Sequence, residues 1–221
     1  EKAIHKTDLP ETLPILALRN TVLFPGVVIP ITVGRDRSIR LIKEAKKNDL
    51  AIGVVSQKDA DVEVPLGDDL NKVGTVARIM KMLRMPDGTN TVILRGERRF
   101  TWDSIVGEDP YLKALVSPFG GIEDVPKSKE TQALKESLKE LAIEIITMSP
   151  GIPTDAAGAI KNIKRLGFLV NFIGSNMNAS VDEKQELLKI ESLEERANKV
   201  LEMLHKEKQM LELKNDIQSK V

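Results

Sequence analysis

The 221-residue sequence contains no cysteine. That excludes disulfides and any thiolate metal site. It has two histidines, His5 and His205, and neither sits among acids or hydroxyls at ligand spacing, so both read as solvated surface residues. The dipeptide Gly-Lys does not occur, so the loop that cradles nucleotide phosphates is missing. Neither a G-x-S-x-G elbow nor an H-E-x-x-H helix is present. Charge of one sign is not in excess: Lys plus Arg is 33 and Asp plus Glu is 33. The balance holds on both sides of Pro126, 18 against 18 and then 15 against 15. A phosphate-binding domain normally carries a basic surplus, so nucleic acid is not an expected partner. No apolar run approaches the ~20 residues of a membrane span. The opening EKAIHKTDLPET lacks the apolar core of a signal peptide. The chain starts with Glu rather than Met and reads as a piece of a longer protein, with a cytoplasmic setting expected.

What is present changes character near Pro126. Ten of the 14 glycines and nine of the 11 prolines lie at or before it, with the single Trp, the single Tyr and three of five Phe. After Gly174 there is neither Gly nor Pro. Turn formers and aromatics followed by helix formers predict an α+β chain, a β-rich domain and then an all-α one. The expected division is a flexible leader over 1–12, a β-rich domain over 13–126, a helical bundle over 127–191 and a long helix over 192–221.

In the first part, strands are predicted at Leu13–Leu18, Val27–Val33, Leu50–Val55, Val73–Arg84, Thr91–Arg95, Phe100–Val106 and Leu112–Val116. Pro30 cannot donate to a ladder and marks an edge or bulged strand. Met85-Pro86-Asp87-Gly88 joins two long strands as a turn, with Pro fixing φ and Gly allowing φ > 0. One helix, Asp36–Asn48, interrupts the strands. Many short strands with one inserted helix suggest a small barrel-like sheet. In the second part, Leu134, Leu138, Leu141, Ile145 and Met148 form one helical stripe. Short helices are expected at Thr154–Ile163 and Arg165–Ile173. Ser180 with Glu183, and Ser192 with Glu195, have the spacing of capping boxes. The last helix has no stop signal before Val221, and beyond Leu204 its apolar residues scatter.

With catalytic chemistry unsupported, adaptable binding surface remains. Met80, Met82 and Met85, with Leu83, lie within six residues of the hairpin segment Ile79–Gly88, and methionine repacks readily around different partners. Phe24-Pro25-Gly26 is a second candidate, a tight apolar loop. A third group, Lys81, Arg84, Arg95, Arg98 and Arg99, is diluted by Glu97 and Asp103 and reads as a solvated strand face. The substrate-binding candidates are therefore Met80, Met82, Leu83, Met85, Phe24 and Pro25, with no catalytic residue and no metal ligand.

Three segments carry a family resemblance: LPILALRNTVLFPGVVIPITVGRDRSI, EDPYLKALV and VDEKQELLKIESLEERANKVLEML. In this order they resemble the amino-terminal region of the Lon ATP-dependent protease family, over nearly the whole chain from Leu13. The intervening KMLRMPDGTNTVILRGERRFTWDSI matches only in pattern, and Trp102 departs from it. The resemblance implies a PUA-like small β-barrel, a helical bundle and the start of a long helix. It implies a non-catalytic region that captures unfolded or damaged proteins and helps assemble a homohexamer. It also implies a parent that is a serine protease with a Ser–Lys dyad and an AAA+ motor using ATP and magnesium, all outside these residues. A stand-alone RNA-binding PUA-like module and a purely oligomerising domain are the competing readings.

Overall fold

Dense Pro and Gly cut the first part into short extended pieces, and a computed structural model shows how they pair. It describes residues 9–121, 123, 125, 127–153 and 155–220. Most of the expected leader, and Pro126 itself, lie outside the described residues. The strands are β1 (Thr12–Leu18), β2 (Val28–Val33), β3 (Ile52–Ser56), β4 (Val73–Arg84), β5 (Asn90–Gly107) and β6 (Lys113–Pro118). Helix α1 (Asp36–Lys47) follows β2. The six-stranded sheet has the order β2-β5-β4-β3-β1-β6, and β5 also pairs with β6. That extra pairing closes β5, β4, β3, β1 and β6 into a ring. Among the described strands only β1 and β3 run parallel, and the chain between them passes through β2 and α1.

Two predicted strands, Thr91–Arg95 and Phe100–Val106, are one continuous strand of 18 residues. Gly96 looks like a breaker in sequence but is a point of close approach. A Cβ there would lie 2.3 Å from the Phe24 carbonyl oxygen. Gly96 N–H donates to the Val27 carbonyl and Gly26 N–H to the Gly96 carbonyl, both at 2.9 Å. Glycine lets the Phe24–Val27 loop lie directly on β5.

Strand β1 shows why its sequence is almost continuously apolar. Leu16 and Leu18 enter one core with Leu41, Ile42 and Ala45 of α1. Leu13 and Ile15 enter another with Phe100, Trp102 and Ala114. Alternate residues point to opposite faces, and both faces are buried. The α1 apolar residues recur at one-, three- and four-residue spacings, which lines one side of a helix.

The helices that follow are α2 (Lys129–Met148), α3 (Asp155–Lys161), α4 (Leu166–Asn176), α5 (Val181–Leu188) and α6 (Leu193–Ser219). The hydroxyls of Ser128, Ser180 and Ser192 accept from backbone N–H groups three residues on. Each satisfies an orphan donor of a first helical turn. The middle of the α2 stripe, Leu138, Leu141 and Ile145, is buried. So are Leu193, Ala197, Val200 and Leu204 of α6. Beyond them α6 runs on, with Met210, Leu213 and Ile217 exposed.

The chain forms two compact units. One comprises residues through Gly120 plus Ser180–Lys189; the other comprises Gly121–Ala179 and Ile190–Val221. The sequence places α5 with the other helices of the bundle, yet it belongs to the β-rich unit. Arg99 of β5 is buried, and its Nη1 donates to the Leu188 carbonyl at 2.8 Å. Gln185, also buried, donates Nε2 to the Val73 carbonyl at 3.0 Å. Leu188 is the last residue of α5, so its carbonyl has no intrahelical partner. A guanidinium at the negative end of the helix supplies both the missing donor and a favourable charge.

In the second unit, Arg196 of α6 is 1% exposed. Its Nη1 donates to the Ile190 carbonyl at 2.9 Å, and its Nη2 forms an ion pair with the Glu123 carboxylate. Burial lowers the Arg196 pKa and Glu123 works against that shift.

Candidate functional site

The β4–β5 hairpin is built around an irregularity that the sequence shows only as poor alternation. Ile79 pairs with Leu94 and Lys81 with Ile93, so Met80 is an extra residue on β4. Such a bulge resets the inside-outside alternation. Ile79 and Met82 both pack against the core that includes α1. Met80 and Lys81 are both exposed, as is Leu83. Without the bulge, one residue of Ile79 and Met82 would face water.

Register defines the outer face. Val28 lies opposite Arg95, Pro30 opposite Ile93 and Thr32 opposite Thr91. Across β5, these continue to Arg78, Lys81 and Leu83. Val28, Pro30 and Thr32 are exposed. Relative exposure is 53% for Val28, 50% for Met80, 40% for Met85 and 38% for Leu83. The face is therefore mixed: apolar side chains are interleaved with Arg95, Arg78 and Lys81, which lie within the same cross-strand rows. Strand β2 pairs with β5 alone, and Pro30 on it removes one backbone donor from that edge.

The six residues named from sequence thus separate. Met80, Leu83 and Met85 share exposed surface, while Met82 turns inward to the core. Phe24 is 0% exposed and Pro25 is buried. Neither can touch a partner of the folded domain, because the Gly96 contact seats their loop on β5. That loop is a structural turn. The basic group separates too. Arg95, Lys81 and Arg84 are exposed, whereas Arg99 is committed to α5.

A second feature joins residues that sequence reading left unconnected. A cavity of about 540 Å³ lies beside the start of α1 and is lined by parts of β1, the β2–α1 junction, residues 63–65 and residues 111–112. Arg19, Arg35 and Arg37 line it, with the acids Asp36 and Glu63. Arg35 is held by its Nη1 to the Glu63 carbonyl at 3.0 Å and its Nη2 to the Ala17 carbonyl at 3.2 Å. Burial lowers the Arg35 pKa, and the positive charge of Arg19 lowers it further. Arg35 is also the N-cap residue of α1 and gives that helix no side-chain cap. Tyr111 contributes to the wall. Burial and a hydrogen bond to Glu44 push its phenol up to about 12. Arg35-Asp36-Arg37 is visible in the sequence, but nothing local tells it to meet Arg19, Glu63 and Tyr111.

No group of three or more His, Asp or Glu side chains that could hold a metal exists among the described residues. No described helix is long and apolar enough to cross a membrane. The arrangement offers binding surface and a charged cavity rather than a set of reacting groups.

Comparison with known proteins bears on what such surface serves. The family described as ATP-dependent protease La (LON) substrate-binding domain matches residues 12–206. Lon protease of Flavobacterium johnsoniae is 53% identical over all of this chain, which covers 27% of that protein. Lon protease of Cytophaga hutchinsonii is 47% identical, again over all of the chain and 27% of the relative. The chain thus spans little more than a quarter of the length of these relatives. The N-terminal domain of Mycobacterium avium complex Lon protease superposes with a TM-score of 0.70 at 18% identity, covering 88% of this chain and 98% of that one. A Lon N-terminal domain protein from Xanthomonas campestris gives 0.62 at 20% identity, covering 86% and 96%. These two likenesses establish the fold, and the family match establishes the kind of domain. The chain belongs to the Lon family as its substrate-binding domain, the recognition region of a Lon-type protease.

Proposed function

We propose that this domain captures unfolded or damaged polypeptides for an ATP-dependent Lon-type protease through the outer face of β2, β5 and β4. The observation that carries the reading is the exposed set Met80, Leu83 and Met85, with Val28 and Pro30 across β5 from it, on a member of a substrate-binding family. Flexible, polarizable side chains on a semi-exposed sheet suit clients that share apolar content but no common sequence. In this reading the Ser–Lys dyad, the AAA+ motor, ATP and magnesium belong to the parent protein in the cytoplasm. Three of the apolar residues beyond Leu204, Met210, Leu213 and Ile217, are exposed and recur at spacings of three and four, and they would meet sister subunits of a homohexamer.

The test is a titration of a fluorescent, permanently unfolded protein against the native domain and a Met80→Ser, Leu83→Ser, Met85→Ser variant. Half-exposed side chains of this size each gain roughly 0.5–1 kcal/mol when covered. The triple change should therefore weaken binding about tenfold or more, with the melting temperature nearly unchanged. Equal affinity in the variant sinks the assignment of this face.

A further inference from the structure

We propose that the cavity beside α1 is a site for a single carboxylate attached to an apolar group, with Arg19 and Arg37 receiving the charge. The α-carboxylate of a polypeptide's last residue and a free apolar carboxylic acid present this same chemistry. The first source rests on the capture of polypeptides proposed above; the second does not.

Charge selects the class of ligand. The walls hold three arginines against two acids, a surplus of one. A polyphosphate or nucleic acid would be under-neutralised there, whereas one carboxylate matches. No carboxylate of the described residues forms an ion pair with Arg19, Arg35 or Arg37. The guanidinium of Arg35 is fixed by two backbone carbonyls, which orients it without neutralising it. Arg19, Arg35 and Arg37 line the same cavity, and an anion held there relieves the repulsion among their like charges. The first turn of α1 adds backbone N–H groups that receive no side-chain cap, and Asp36, Arg37 and Ser38 of that turn line the same cavity.

The remaining wall selects against a bare inorganic anion. The core residues Ile15, Leu41, Tyr111 and Leu112 form the floor of the cavity, and Val64, 60% exposed, lines it as well; together they offer apolar contact to a substituent. The Tyr111 hydroxyl is already engaged with Glu44 and Lys113 Nζ lies 5.6 Å from its ring centroid, so Tyr111 serves as floor rather than as a hydrogen-bonding partner. The volume falls in the range of small-ligand pockets and admits a chain end rather than a folded surface. Arginine with a carboxylate forms the stronger, charge-assisted kind of hydrogen bond.

The experiment uses the whole chain, ¹⁵N-labelled, followed by NMR. The probes are a ten-residue peptide ending in leucine, as free acid and as amide, and N-acetyl-leucine with its amide. The acid forms should shift the amides of Arg37 and Ser38 and bind about tenfold or more tightly than the amides. Arg19→Gln and Arg37→Gln should each erase that preference; Arg35 is spared because it also ties the loop at Glu63. A peptide acid that outbinds N-acetyl-leucine supports the chain-end source, and equal binding supports the free-acid source. Equal binding of acid and amide, or an acid preference that survives both substitutions, overturns the site. Binding of unfolded protein by Arg19→Gln and Arg37→Gln, retained through the hairpin face, separates failure here from failure of the proposed function.

Discussion

Replacing Arg99 by Met should loosen helix α5 before anything else in the molecule. The substitution keeps most of the aliphatic stem but removes the charge and the donors. Leu188 then loses the 2.8 Å hydrogen bond to its carbonyl, which has no partner inside its own helix. Leaving a buried carbonyl unpaired costs about 1–3 kcal/mol. The lost attraction between a cation and a helix C-terminus adds up to about 1 kcal/mol. Relief of burying the guanidinium offsets part of this, so the expected net loss is about 2 kcal/mol. In a chain of this size that lowers the melting temperature by roughly 4–8 °C. Gly120 makes room for this side chain, since a Cβ there would lie 2.2 Å from the Arg99 guanidinium. Two units need not unfold in one step, so the decisive assay is amide hydrogen exchange. Protection of Gln185, Glu186, Leu187 and Leu188 should fall about tenfold or more, more than protection in α2. Unchanged exchange in α5 with a melting shift under about 1 °C would refute the view that Arg99 holds this helix.

Glu123→Gln should destabilise the second unit by about 2 kcal/mol, because it leaves the buried Arg196 guanidinium without its counter-charge. The value sits below the range for fully buried pairs because Glu123 is about one-third exposed; urea unfolding followed by helical circular dichroism checks it. Tyr111 gives a pH signature. Its phenol is raised in the folded state to about 12 from an ordinary value near 10. Its contribution is therefore full below pH ~10 and lost as pH rises toward 12. Melting curves across that window should fall more steeply for the native chain than for Tyr111→Phe, and parallel curves would contradict the assignment.

Much of this architecture could be read along the chain because it is local. The α2 stripe, the serine caps and the Pro-Asp-Gly turn depend on residues within a few positions of one another. The two strands that proved continuous were misdivided for a physical reason: Gly96 weakens a strand in isolation, and only the Phe24 carbonyl lying against it shows why glycine is needed. Helix α5 was invisible as part of the β-rich unit, because an apolar face tells that a helix is buried and not against what. The exposed face is a similar case. Three methionines were legible, but the bulge that sends Met80 outward and Met82 inward requires knowing the pairing with β5. The arginine cavity required four separate segments to converge, which no periodicity records.

The return of α5 to the β-rich unit also fixes an order of events at the ribosome. Every strand of that unit is made early, yet its last element is made only after α2, α3 and α4. Until Leu188 emerges, Arg99 lacks the helix terminus to which it donates in the folded unit. The second unit waits longer still, since Arg196 and its stripe on α6 come afterwards. Neither unit is a contiguous stretch, so in synthesis from the N-terminus each completes its contacts only once its last segment, α5 for one and α6 for the other, has emerged.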